Sequence, residues 1–100
     1  MIPKNRISSH PGLILLEEFL KPAGITQVEL AERIQVPTQR VNEIVKGKRG
    51  ITPMTAWHFS QAFGTTPQFW LNLQTNFDLS VIHPKQHVKQ FNLSLKNECI

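Results

Sequence analysis

Between Leu15 and Phe77 apolar residues recur at three- and four-residue intervals, and polar or proline-bearing breaks cut the pattern into five blocks. The first predicts a helix from Gly12 to about Leu20. Leu15 and Phe19 share one face, Leu16 and Leu20 the next, and Glu17 and Glu18 point elsewhere. Pro11 fits a helix start, where its missing N–H costs nothing. Pro22 and Gly24 are expected to stop the helix. The second helix runs from Gln27 to Ile34, with Leu30, Ala31 and Ile34 on its inner face. Thr26 and Glu29 have capping-box spacing, which satisfies two orphan backbone donors reciprocally. Ala31 is small where the next helix should cross closely.

Gln35-Val36-Pro37 predicts a turn, because Pro37 pushes Val36 out of the helical region. If the turn needs a left-handed residue, glutamine there costs about 1 kcal/mol. The third helix spans Thr38 to Lys46 and buries Val41, Ile44 and Val45, and Gly47 is a natural C-cap. Gln39, Arg40, Asn42, Glu43 and Lys46 are left on its open faces. Thr52-Pro53 opens a fourth helix that ends at Phe63-Gly64; Ala56, Phe59 and Phe63 carry its spacing, and Trp57 is assigned to the core. Thr66-Pro67 opens a fifth, through Phe69, Trp70 and Leu73 to about Asn76. Short connections between five short helices predict a compact all-α bundle. The expected organisation is an N-terminal arm over 1–10, a domain over 11–79 and a tail over 80–100, which has no clear period. That tail could be frayed, carry an added helix or strand, or be ordered by a partner.

Two short helices joined by a tight turn, the second ending in positive charge, make the layout of a helix-turn-helix that lays its second helix in the DNA major groove. The charge distribution sharpens this. Residues 33–50 hold Arg33, Arg40, Lys46, Lys48 and Arg49 against Glu43 alone, and the rest of the chain is balanced. The whole formal excess of +4 therefore sits on and around the candidate reading helix, where phosphates must be neutralised.

A recognition helix offers its N-terminal turn to the base edges. Here that turn carries Thr38, Gln39 and Arg40, followed by Asn42 and Glu43. Gln and Asn can bond adenine N6 and N7, Arg can bond guanine O6 and N7, and Thr can touch a thymine methyl. Any one of these alone would be an ordinary solvated residue; together, beside Lys46, Lys48 and Arg49, they are the expected base contacts. Lys46, Lys48 and Arg49 are the expected phosphate contacts. Gln27, at the start of the second helix, could bond a phosphate with its amide and the helix's free N–H groups, or be a plain surface glutamine.

Composition narrows the alternatives. One hundred residues, 40% of them apolar, support one core. No apolar run approaches membrane-spanning length, and Met1 to Ile7 lacks an apolar signal core, so neither membrane nor export is expected. The single cysteine, Cys99, fits a reducing compartment. His83 and His87 have the spacing of two metal ligands, but Pro84 and the lack of further ligands leave them as tail histidines. His10 is expected at the entry of the first helix and His58 on the fourth. No phosphate loop, nucleophile elbow or oriented nucleophile is present, so no catalytic residue, cofactor or enzymatic activity is expected.

Several longer stretches are family-specific. They are His10-Pro-Gly12, Glu17-Glu-Phe-Leu-Lys-Pro-Ala-Gly-Ile25, Val36-Pro37, Arg40-Val-Asn-Glu-Ile-Val-Lys-Gly-Lys-Arg-Gly-Ile-Thr52, Gly64-Thr-Thr-Pro-Gln-Phe-Trp-Leu-Asn-Leu-Gln74 and Phe77-Asp-Leu79. In these the chain resembles the HigA-type (VapI-like) antitoxins, a branch of the phage-repressor-like helix-turn-helix class, over about His10 to Leu79. The resemblance implies a five-helix, lambda-repressor-like DNA-binding domain in a cytoplasmic protein. It further implies a homodimer on palindromic operator DNA that represses its own promoter, and a HigB-type, RelE-like toxin partner that cleaves messenger RNA.

Dimerisation also has a physical reason, since one short helix reads too few base pairs for tight, specific binding. Phe69, Trp70 and Leu73 are the candidate dimer surface, against the alternative that Trp70 simply fills the core. Two other readings are weighed: a plain phage-type repressor without a toxin, and a protein-interaction module with a relict helix-turn-helix. A toxin could bind the N-terminal arm, the first helix or the C-terminal segment.

Overall fold

The computed structural model describes residues 9–93. Most of the expected N-terminal arm, the last residues of the tail and Cys99 lie outside them. Among the described residues the fold is all-helical, with five helices.

The first helix, α1 (residues 11–23), is composite. An α-helical turn, Pro11–Ile14, passes into a π-helical stretch, Leu15–Leu20, and closes as an α turn, Lys21–Ala23. The expected stop at Pro22 is therefore wrong, and the backbone gives the reason. Proline lacks an N–H and its ring collides with the carbonyl four residues back. Widening the turn, with the Lys21 N–H bonding the Leu16 carbonyl, relieves that crowding and lets the helix run on. Gly24, at φ 67°, ends it, and Ile25 N–H bonds the Leu20 carbonyl at 2.9 Å.

Helix α2 (Gln27–Ile34) starts on the predicted capping box: Glu29 N–H donates to Thr26 Oγ1 at 3.0 Å, and Thr26 N–H donates to Glu29 Oε1 at 2.8 Å. Gln35 ends it at φ 60°, ψ 49°, so the turn does demand a left-handed residue and is built without glycine. Helix α3 (Thr38–Val45) follows. Helices α4 (Pro53–Phe63) and α5 (Pro67–Val81) each begin on the predicted threonine cap and proline. Helix α5 runs past the expected end near Asn76. Phe77 extends its inner face, meeting His10 edge-on at 4.9 Å, and Gln74 Nε2 donates to Asp78 Oδ1 at 2.9 Å.

The core gathers Leu15, Leu20, Leu30, Ala31, Val41, Ile44, Ile51, Ala56, Phe59 and Trp70. Trp70 is its centre, fully buried, with ring centroids 5.0 Å from Phe19 and from Phe59, and its indole N–H donates to Thr65 Oγ1 at 2.7 Å. Burying its polar edge with a partner keeps the apolar gain without an unsatisfied donor. Trp57, expected in the core, is 55% exposed. Ala56, Phe59, Ser60 and Phe63 occupy the inward positions of α4, and Trp57 falls a third of a turn away from them. After Val81 the chain has no regular structure, and every residue from Val81 to Leu93 is exposed.

Candidate nucleic-acid interface

The reading helix is held by its buried face, which leaves the opposite face free. Val41 and Ile44 are fully buried against α1 and α2. One contact sets how close α1 can come. Gly12 abuts the Ile44 carbonyl so tightly that a Cβ there would stand 1.7 Å from the oxygen. His10 caps α1 beside this contact: its Nδ1 accepts from Gly12 N–H at 2.9 Å. That cap needs the imidazole uncharged at Nδ1, and partial burial holds the His10 pKa below its ordinary value against the opposing pull of Asp78. His10, at the entry of the first helix as expected, thus joins α1, α3 and α5.

On the open face Thr38, Gln39 and Arg40 are exposed in the first turn of α3. Asn42 is half-buried, and its amide donates to Gln27 Oε1 at 3.1 Å. This bond ties the second turn of the reading helix to the start of α2. Glu43 is engaged: Arg49 Nε donates to Glu43 Oε1 at 3.0 Å and Gln39 Nε2 to Glu43 Oε2 at 3.4 Å. Lys46, Lys48 and Arg49 are exposed. Among the described residues no carboxylate pairs with Arg40, Lys46 or Lys48.

The basic loop is shaped by the end of α3. Gly47 takes φ 77°, Lys48 N–H bonds the Glu43 carbonyl at 2.8 Å, and Gly47 N–H bonds the Ile44 carbonyl at 3.0 Å. This closure turns the chain sharply and presents Lys48 and Arg49 together. The loop is then pinned from behind: Ile51 N–H donates to Gln74 Oε1 at 2.7 Å. Gln74 was not singled out in the sequence, since an internal glutamine in an apolar helix carries no signal of a contact 23 residues back.

The three candidate dimer residues part company. Trp70 belongs to the core and leaves the candidates, because a side chain with no exposed area has none to offer a second copy. Phe69 is 36% exposed and Leu73 half-buried. The surface around them has an unusual electrostatic character. No Lys, Arg, Asp or Glu occurs from Gly50 to Phe77. Fixed charge is thus absent from α4 and, apart from Asp78, from α5, while the cations gather on α3 and its loop. No described helix is long and apolar enough to cross a membrane.

Comparison with known proteins agrees with this geometry. A helix-turn-helix family model matches residues 16–70. Virulence-associated protein I of Dichelobacter nodosus is 49% identical over 72 residues, covering 72% of this chain and 67% of its own length. Antitoxin HigA-1 of Vibrio cholerae is 41% identical over 68 residues, covering 68% of this chain and 64% of its own. The antitoxin HigA of Pseudomonas aeruginosa, solved with the higBA promoter, superposes with a TM-score of 0.70 at 40% identity, covering 72% of this chain and 78% of its own. The antitoxin GraA, solved with its operator, gives 0.72 at 41% identity, covering 80% and 81%. A charged, open reading helix on this scaffold, matched along most of the described fold, places the chain in the helix-turn-helix family of the phage-repressor-like (XRE) type, within its HigA-type, VapI-like branch of non-enzymatic regulators.

Proposed function

We propose that the chain is an autorepressing antitoxin. It acts in the cytoplasm as a homodimer, binds palindromic operator DNA at its own promoter, and silences a HigB-type, RelE-like toxin. One observation carries the DNA reading: the open face of α3 is polar and cationic, while its opposite face is fully committed to the core. A helix with one face so committed keeps its orientation when the other enters a groove.

Thr38, Gln39 and Arg40 meet the base edges first. Asn42 follows, its amide oriented by Gln27, which itself reaches a phosphate along with the first N–H groups of α2. Glu43 lies at the rim of the base-contacting face and steadies Arg49. Lys46, Lys48 and Arg49 grip the phosphates. The names of the relatives support the antitoxin half of the proposal, because HigA-1 and GraA are antitoxins and two neighbours were solved with promoter or operator DNA.

The test is a titration of labelled DNA from upstream of the chain's own gene. Arg40→Ala and Asn42→Ala should each weaken specific binding by about 1–3 kcal/mol. If both footprint the operator like wild type, the assigned reading face is wrong. Copurification with the product of the adjacent gene tests the toxin half, and a gene with no small neighbour whose product binds the chain would remove it.

A further inference from the structure

We propose that residues 90–95 form a β-strand that pairs antiparallel with the same segment of a second copy, seated on the charge-free surface of the two α5 helices. This rests on the homodimer reading above and names the element that would join the copies.

Three observations point there. First, Val88, Phe91 and Leu93 are 76%, 81% and 61% exposed, in a stretch where every residue faces solvent. Apolar side chains uncovered in series mark a surface that another molecule covers. Second, Gln90-Phe-Asn-Leu-Ser-Leu95 alternates strictly, with Phe91, Leu93 and Leu95 on one side and Gln90, Asn92 and Ser94 on the other. Period two is the pattern of a half-buried strand and unlike anything in the helices before it. Third, there is no strand among the described residues for it to join. Its partner strand therefore comes from another chain.

The segment suits itself. Antiparallel pairing about Asn92 sets Phe91 opposite Leu93 of the second copy, and Leu93 opposite its Phe91. Aromatic–aliphatic cross-strand pairs are favourable. Charge selects the direction. A parallel pair would hold each Lys89 about 5 Å from its mate. The antiparallel register separates them by six residues, about 20 Å at 3.4 Å per residue, well beyond a screening length of about 8 Å. A two-stranded ribbon alone is marginal and needs a helix beneath it. Leu79 and Ile82, each 68% exposed, and Val81 supply an apolar seat at the end of α5, continuous with the surface that lacks fixed charge. Ten residues from Val81 to Phe91 span up to about 33 Å, enough to reach a second copy.

The experiment uses the full chain with Cys99→Ser, adding Asn92→Cys in one variant and Gln86→Cys in another. Facing strand residues lie within disulfide reach, and Asn92 faces itself in this register. Mild oxidation at low protein concentration should convert Asn92→Cys almost wholly to covalent dimer while Gln86→Cys stays mostly uncrosslinked. Separately, Phe91→Ser with Leu93→Ser should raise the dimer dissociation constant at least tenfold by sedimentation, with the helical circular dichroism unchanged. Equal cross-linking of the two cysteine variants, or a dimer indifferent to the double serine variant, overturns the proposal. A gel shift on the chain's own promoter separates the failures. A dimer that shifts the promoter without the Asn92→Cys cross-link sinks the strand pairing alone. A monomer that shifts nothing sinks the proposed function with it.

Discussion

Replacing Gly12 by alanine tests the packing that orients the reading helix. The added methyl would stand 1.7 Å from the Ile44 oxygen and 2.7 Å from its carbon, against ordinary contact distances of 3.4–4 Å. The obstacle is backbone in the middle of α3, so no side chain can swing aside. Helices α1 and α3 must part by more than an ångström, and a gap of that size forfeits a large part of the dispersion between the faces it opens. Leu15 and Ile44, both fully buried, would lose contacts, and the His10 cap would be dragged off the Gly12 N–H. Overpacking and lost core contact together cost about 3 kcal/mol. At roughly 4–8 °C per kcal/mol, the melting temperature should fall by roughly 12–24 °C. Gly24→Ala is the matched control. Its site has nothing within 4 Å, so only the φ of 67° opposes a side chain. That strain costs about 1 kcal/mol. Thermal and urea melts followed by circular dichroism measure both variants. If Gly12→Ala is no worse than Gly24→Ala, the close crossing does not hold α3 in place.

Gln35→Gly should stabilise the protein by about 0.5 kcal/mol, since about 1 kcal/mol of left-handed strain is relieved against about 0.5 kcal/mol of added unfolded-chain entropy; a lower urea midpoint would contradict this. His10 makes stability pH-dependent in a defined sense. Its folded pKa lies below 6.5, so the unfolded chain binds the proton first; stability is complete above pH 6.5 and falls as pH drops through the lowered value. His10→Asn, which keeps a cap acceptor, should flatten that slope in melts between pH 5 and 7, and an unchanged slope would acquit His10. Lys48→Ala should weaken binding to all DNA sequences alike and reduce the slope of log affinity against log salt by about 0.9, whereas an unchanged slope removes Lys48 from the phosphate contacts.

What the sequence disclosed, and what it hid, follows from the range of the interactions. The caps at Thr26, Thr52 and Thr66 are bonds over three residues, so they were readable one window at a time. The same holds for the Gly47 closure and for the excess of cations on α3. Trp57 and Trp70 were harder, because both are large and apolar and each sits in a helix with apolar neighbours on several sides. Only the arrival of Phe19 from α1 and Thr65 from the loop before α5 decides which of them fills the core. Pro22 misled for a related reason: the rule against proline inside a helix assumes α-helical turns, and the π turn before it removes the clash.

Most of what positions the reading face is long-range and silent in the sequence. Gly12 against the Ile44 carbonyl, Gln27 against Asn42, and Gln74 against Ile51 each join residues at least 15 apart. The residue types at the interface could thus be named from local pattern, but their rigidity could not. That rigidity bears on function. Asn42 pre-bonded to Gln27 has less rotamer freedom to lose on meeting a base than a free side chain would, and the same bond makes base contact and phosphate contact interdependent. Removing both residues should therefore cost less than the sum of the two single losses, as expected for partners in one network. A double-mutant cycle on operator affinity measures this directly. Strict additivity would mean that the bond seen in the free protein is broken on DNA, and that the two side chains act alone.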